Sequence, residues 1–145
     1  MMHRILFAAL AVSSLAVSAT AGDWPQILGP TRNGIAVDEK LADKWPADGP
    51  KTVWQRKVGT GFSGIVVSDG IAVLFHRVGN NETAEAMNAA TGKRLWKTEF
   101  PTDYIPSYTS DDGPRATPLI RKGRVYLYGV KGGLYCVDLK SGRKL

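Results

Sequence analysis

The sequence predicts an all-β chain: a β-propeller of four-stranded antiparallel blades, of which it holds about two. Three observations carry this. Sixteen Gly and eight Pro sit among many Val, Ile, Tyr and Trp, a composition that favours strands and turns over helices. Short strand-like stretches alternate with tight-turn signals. The pattern also restarts. The Asp69-Gly70 turn returns as Lys122-Gly123, 53 residues on, and the Thr91-Gly92 turn returns as Ser141-Gly142, 50 residues on. A period near 50 with four strands per unit marks a propeller blade. A two-layer sandwich has no reason to restart in register at the same turn.

Taken in order, residues 1–21 read as a secretory signal peptide. Arg4 gives a positive start, residues 5–17 are apolar apart from Ser13 and Ser14, and Ala19-Thr20-Ala21 fits signal peptidase. The apolar run is short of the ~20 residues a membrane span needs, so no span is expected. The mature chain then starts at Gly22, periplasmic or secreted. Residues 22–51 are too rich in Pro and Gly for regular structure. Trp24, Ile27, Leu28 and Trp45 mark them as an arm packed on something.

Residues 52–58, with Trp54 near their centre, read as a closing strand. Residues 63–100 form one blade, with strands at 64–68, 71–76, 84–88 and 94–99. Residues 116–145 repeat this as an incomplete blade, with strands at 117–120 and 124–128 and a third ending near Asp138. Closing a ring takes at least about four blades, so the reading expects further blades in a longer protein.

The turn between third and fourth strands is the most repeated stretch. Ala86-Met87-Asn88-Ala89-Ala90-Thr91-Gly92-Lys93-Arg94-Leu95-Trp96 returns as Cys136-Val137-Asp138-Leu139-Lys140-Ser141-Gly142-Arg143-Lys144-Leu145. Asn88 or Asp138 can fold its side chain onto the turn backbone, and Gly92 or Gly142 supplies the φ > 0 position.

These residues resemble the eight-bladed propellers of pyrroloquinoline-quinone-like (PQQ-like) repeats, which include quinoprotein dehydrogenases and the BamB outer-membrane assembly factor. The signature is A-x-D-x-x-T-G-x-x-x-W. Ala86, Thr91, Gly92 and Trp96 match it, with Asn88 for the usual Asp. Asp138 and Gly142 match in the second copy, with Cys136 in the Ala place and Ser141 in the Thr place. The resemblance implies that Trp54 and Trp96 dock against a neighbouring blade.

Net charge is +6, but the basic residues are scattered among acidic ones. That excludes a nucleic-acid patch and reads as a solvated surface. Cys136 is the lone cysteine, so no intrachain disulfide forms.

Strands alternate direction, so the tight turns share one face. Loops from second to third strand and from blade to blade share the other. There the link from Trp96 to Thr117 is 11 residues longer than the link from Trp54 to Gly64. Extra length on one face of a repeat array marks a binding face. The candidates on it are His76, Arg77, Asp103, Tyr104, Tyr108, Asp111, Asp112 and Arg115. His76 reads as a satisfied structural histidine. Asp111 and Asp112 fall short of the roughly six to eight oxygens of a Ca²⁺ site. Arg77, Tyr104, Tyr108, Asp111, Asp112 and Arg115 are therefore expected to bind a partner, with no catalytic, metal or cofactor residue. The expected function is an exported, non-catalytic module that contacts a protein or cell-envelope component. The alternative is a dehydrogenase dependent on PQQ and Ca²⁺. The resemblance implies that such an enzyme carries an adjacent Cys pair, which the further blades would have to complete.

Overall fold

The computed structural model describes residues 22–36, 39, 42–108 and 111–145. The expected signal peptide lies outside them. Seven strands form two antiparallel sheets. The first sheet is β1 (Val66–Ser68), β2 (Ile71–Val78), β3 (Asn81–Asn88) and β4 (Arg94–Pro101), ordered β1-β2-β3-β4. The second is β5 (Leu119–Arg121), β6 (Arg124–Tyr128) and β7 (Leu134–Asp138), ordered β5-β6-β7. Among the described residues there is no helix.

Turn chemistry sets the register. Asp69 and Gly70 both take positive φ, as do Lys122 and Gly123. Two such residues make the hairpin turn whose twist matches the strands it joins. Ser68 therefore pairs with Ile71, and Arg121 with Arg124. Gly79-Asn80 closes β2 onto β3, with Val78 opposite Asn81.

Alternation along each strand divides the first sheet into two faces. Val73, Phe75, Ala84, Ala86, Trp96 and Phe100 pack against Ile120, Val125, Leu127, Val137 and Leu139 of the second unit. Phe100 stacks on Tyr135 at 4.1 Å between ring centroids and meets Phe75 edge-on at 6.3 Å. This is blade-on-blade packing, and it holds the apolar core.

The arm crosses the inner edge of both sheets. Trp24 N and O bond with Val67 O and N at 2.8 and 2.9 Å, and Ile120 N donates to Pro25 O at 2.7 Å. The Asp23 carboxylate takes Ser68 Oγ and Asp69 N. The arm thereby covers donors and acceptors that an exposed edge would offer to another chain. Trp24 is half-buried, whereas Ile27, Leu28 and Trp45 are exposed.

Residues 52–58, expected to pair with strands of further blades, join neither sheet of the described residues. The stretch is extended, but no ladder partner stands beside it among the described residues. Side chains hold it to the first sheet instead.

Candidate functional site

The two repeated turns have one internal geometry. Asn88 Oδ1 accepts from Ala90 N, Thr91 N and Thr91 Oγ1 at 2.9–3.1 Å. Asp138 Oδ1 accepts from Lys140 N, Ser141 N and Ser141 Oγ at 2.7–3.1 Å. The Ser141 hydroxyl and the turn amides hold the Asp138 carboxyl below its ordinary pKa. An amide oxygen thus does the work of a carboxylate here, because the donors are the same.

An indole sits on each turn. Trp54 Nε1 donates to Ala89 O at 2.9 Å, and Trp96 Nε1 to Leu139 O at 2.8 Å. Two residues after each Trp, a second side chain reaches the turn glycine. Arg56 Nη1 donates to Gly92 O at 3.3 Å, and Thr98 Oγ1 to Gly142 O at 2.6 Å. A Cβ on Gly92 would lie 2.7 Å from the Trp54 ring, and one on Gly142 would lie 2.5 Å from the Trp96 ring. Glycine is therefore required twice over, for its positive φ and for the approach of the ring. These contacts are structural joints.

The longer loops gather at the other end of the sheets, as strand alternation expects. Arg77 of β2 and Glu82 of β3 are partners in register there, and both are buried. Arg77, 7% exposed, donates from Nε to Gly79 O at 2.8 Å. Its Nη1 donates to Tyr104 O at 2.7 Å and to Asp112 O at 3.1 Å, and lies 3.4 Å from Asp112 Oδ2. Glu82 Oε1 accepts from Val130 N at 2.7 Å. One buried charge thus holds the long link and the other holds the loop between β6 and β7.

Further ties pin the link. Asp111 accepts from Gly61 N at 2.9 Å and Gly113 N at 3.0 Å, and Thr60 Oγ1 donates to Asp112 at 2.6 Å. The Thr60 bond is the main cause of a lowered Asp112 pKa. Arg115 is exposed and donates from Nη2 to Asp111 O at 3.3 Å. Asp103 pairs with Lys131 of the β6–β7 loop at 2.6 Å, which lowers the Asp103 pKa.

Arg77 was expected to meet a partner, and the structure turns it inward instead. Three backbone carbonyls are fixed acceptors that a guanidinium fork can satisfy together. Asp111 and Asp112 likewise hold the link in shape. What the pinned link presents outward is Ile105, 83% exposed, and Tyr108, fully exposed, with Tyr104 half-buried. A groove of about 650 Å³ runs beside them, lined by Asn80, Pro101, Thr102, Asp103 and Ile105 above Arg77. Sequence reasoning missed Ile105 and the struts Glu82 and Glu85. No local signal marked the glutamates, because the partners that bury them lie far along the chain.

On the other face of the first sheet, residues 56–60 are clasped to β2 and β3. Glu85 Oε1 takes Arg56 Nη2 at 2.6 Å. Gly59 N donates to His76 Nδ1 at 2.7 Å, and Thr60 bridges Arg77 backbone to backbone. Burial lowers the His76 pKa from 6.5. Glu85 opposes that shift, while Arg56 and Lys97 add to it. Below about pH 6.5 the unfolded chain therefore binds a proton that the folded chain does not, and stability falls as pH falls. Melting temperature should drop more between pH 7.5 and 5.5 in the wild type than in His76→Asn, whose Oδ1 can still accept from Gly59 N. Equal drops would exclude His76 as a source of acid sensitivity.

The family model described as "Outer membrane protein assembly factor BamB" matches residues 38–145. A curated protein of that name from Burkholderia pseudomallei (strain K96243) is 29% identical over 106 residues, covering 70% of this chain and 26% of the relative. The chain therefore spans about a quarter of that relative's length. Among solved structures, a europium-containing methanol dehydrogenase matches at a TM-score of 0.41 and 21% identity, over 56% of this chain and 14% of that one. With the family match spanning most of its length and a Trp-on-turn contact repeated at both turns, this chain belongs to the BamB-like family of PQQ-like-repeat β-propellers.

Proposed function

We propose that this chain is part of an exported, non-catalytic binding module that contacts a protein partner in the cell envelope. The contact face is the one carrying residues 101–115. One observation carries the reading. Arg77 fixes the link through two of its carbonyls, and the Asp111 and Asp112 side chains fix it to residues 60–61, yet it exposes Tyr108 and Ile105, the latter on the wall of a groove. Pinning a segment lowers the entropy lost on binding, and an exposed tyrosine on such a segment suits the centre of an interface. The relative named as an outer membrane protein assembly factor supports a protein partner of that kind.

Export is tested by the N-terminus of protein recovered from the envelope fraction, which should be Gly22. The contact face is tested by photo-crosslinking in cells, with a reactive amino acid at position 105 or 108 and, on the tight-turn face, at Lys122. Discrete adducts with an envelope protein are expected from 105 and 108, and none from 122. The reading fails if 105 and 108 give no adduct, or if 122 gives the same one.

A further inference from the structure

The clasped face of the first sheet holds a second cavity, of about 340 Å³, between residues 56–59 and strands β2 to β4. Its walls carry Arg56, Lys57, His76, Glu85, Arg94 and Lys97. Among the described residues, two nitrogens there are buried without a hydrogen-bond partner, His76 Nε2 and Arg56 Nε. The side chain of His76 is 7% exposed.

The tautomer of His76 follows from its surroundings. Nδ1 accepts from Gly59 N, so in the neutral ring the hydrogen is on Nε2. Both orphan atoms are therefore donors. Glu85 does not satisfy the imidazole, because its Oε2 lies 3.6 Å from Nε2, beyond hydrogen-bond reach. Its Oε1 already takes Arg56 at 2.6 Å, with Arg94 at 3.5 Å. Among the described residues Lys97 pairs with the half-exposed Glu99. Four cations thus face one carboxylate, and a buried donor left unpaired costs free energy that an acceptor would recover.

The repeat supplies an internal comparison. At the offsets that align the two units, Gly129 stands in the place of His76 and Tyr135 in the place of Glu85. Tyr135 is packed on Phe100. The second unit thus repeats neither the histidine nor the glutamate, and the first sheet covers its equivalent face.

We infer that this cavity binds a small oxyanion, the phosphate or carboxylate group of a soluble ligand. His76 Nε2–H and Arg56 Nε–H are its buried donors, with Arg94 and Lys97 at the mouth. An acidic side chain from elsewhere in the same protein has the same chemistry, and the experiment separates the two sources.

The test uses protein from the complete reading frame, in chloride buffer of constant ionic strength. Inorganic phosphate at 10 mM should raise the melting temperature by about 3 °C, as expected for a ligand well above its Kd. It should also move the His76 Nε2 resonance. His76→Asn and Lys97→Gln should each lose most of the rise, and Lys97→Gln, on the surface, keeps the test readable if the buried change disturbs folding. Acetate at the same concentration probes the carboxylate class. An equal rise in both variants would mean a general salt effect and would overturn the proposal. So would no rise with either anion. In that case, a His76 Nε2–H already protected from exchange in anion-free buffer would identify the acceptor as part of the protein's own chain.

Discussion

Trp96→Ala should lower the unfolding free energy by about 3–5 kcal/mol, the range for removing a large buried aromatic. The indole is 8% exposed in the core between the sheets, and its loss opens a cavity above Gly142. It also leaves Leu139 O without the donor it has at 2.8 Å. Trp96→Phe keeps most of the ring but not the bond, so it should fall between. Thr98→Ala removes only the hydroxyl bond to Gly142 O and should cost about 1 kcal/mol. Urea denaturation at unchanged m-value measures all three. A Trp96→Ala loss under 1 kcal/mol would mean that the joint contributes little to holding the blades together.

Arg77→Met is expected to cost about 3 kcal/mol, and its effect is of another kind. The variant keeps an unbranched, apolar stem but leaves the carbonyls of Gly79, Tyr104 and Asp112 without their donor. A hydrogen bond from a charged donor contributes about 1.5–3 kcal/mol, and water recovers part of that loss at exposed Gly79 and half-buried Tyr104 and Asp112. The link should loosen, so amide exchange over residues 102–108 should speed up while the core strands stay protected. Tyr108→Ala, on an exposed side chain, should change stability by no more than about 0.5 kcal/mol. A partner should be lost in both variants, through loosening of the link in one and through loss of a contact in the other. If Arg77→Met leaves exchange in the link unchanged, the guanidinium does not hold it.

The parts of the fold legible in the sequence are those set by short range. The reach from Asn88 to Thr91, or from Asp138 to Ser141, is three residues, so residue types alone specify it. The period likewise located the turns, and strand alternation placed the long link on the correct face. Less legible was what depends on partners far along the chain. Glu82 is buried because Val130, 48 residues on, donates to it, and Glu85 because Arg56, 29 residues before, reaches it. Nothing in a local window distinguishes such a glutamate from a solvated one. Arg77 was read as outward for the same reason: its acceptors are carbonyls, which every residue has. Residues 52–58 have strand composition, but a strand is a pairing and composition carries no information about the pair. His76 was read as satisfied, and one nitrogen is, while the other faces the cavity.

The Trp-on-turn joint also bears on how such a chain assembles as it is delivered from its N-terminus. Trp54 contacts Ala89, 35 residues later, and Trp96 contacts Leu139, 43 residues later. In each case the indole is delivered first and the hairpin that closes over it follows within one repeat. The closure entropies of two such spans differ by only about 0.2 kcal/mol, so adding a unit costs nearly the same wherever it falls in the array. Nucleation can then pass from one unit to the next with nearest-neighbour contacts only. For the two units described, each joint therefore closes over a span of about 40 residues.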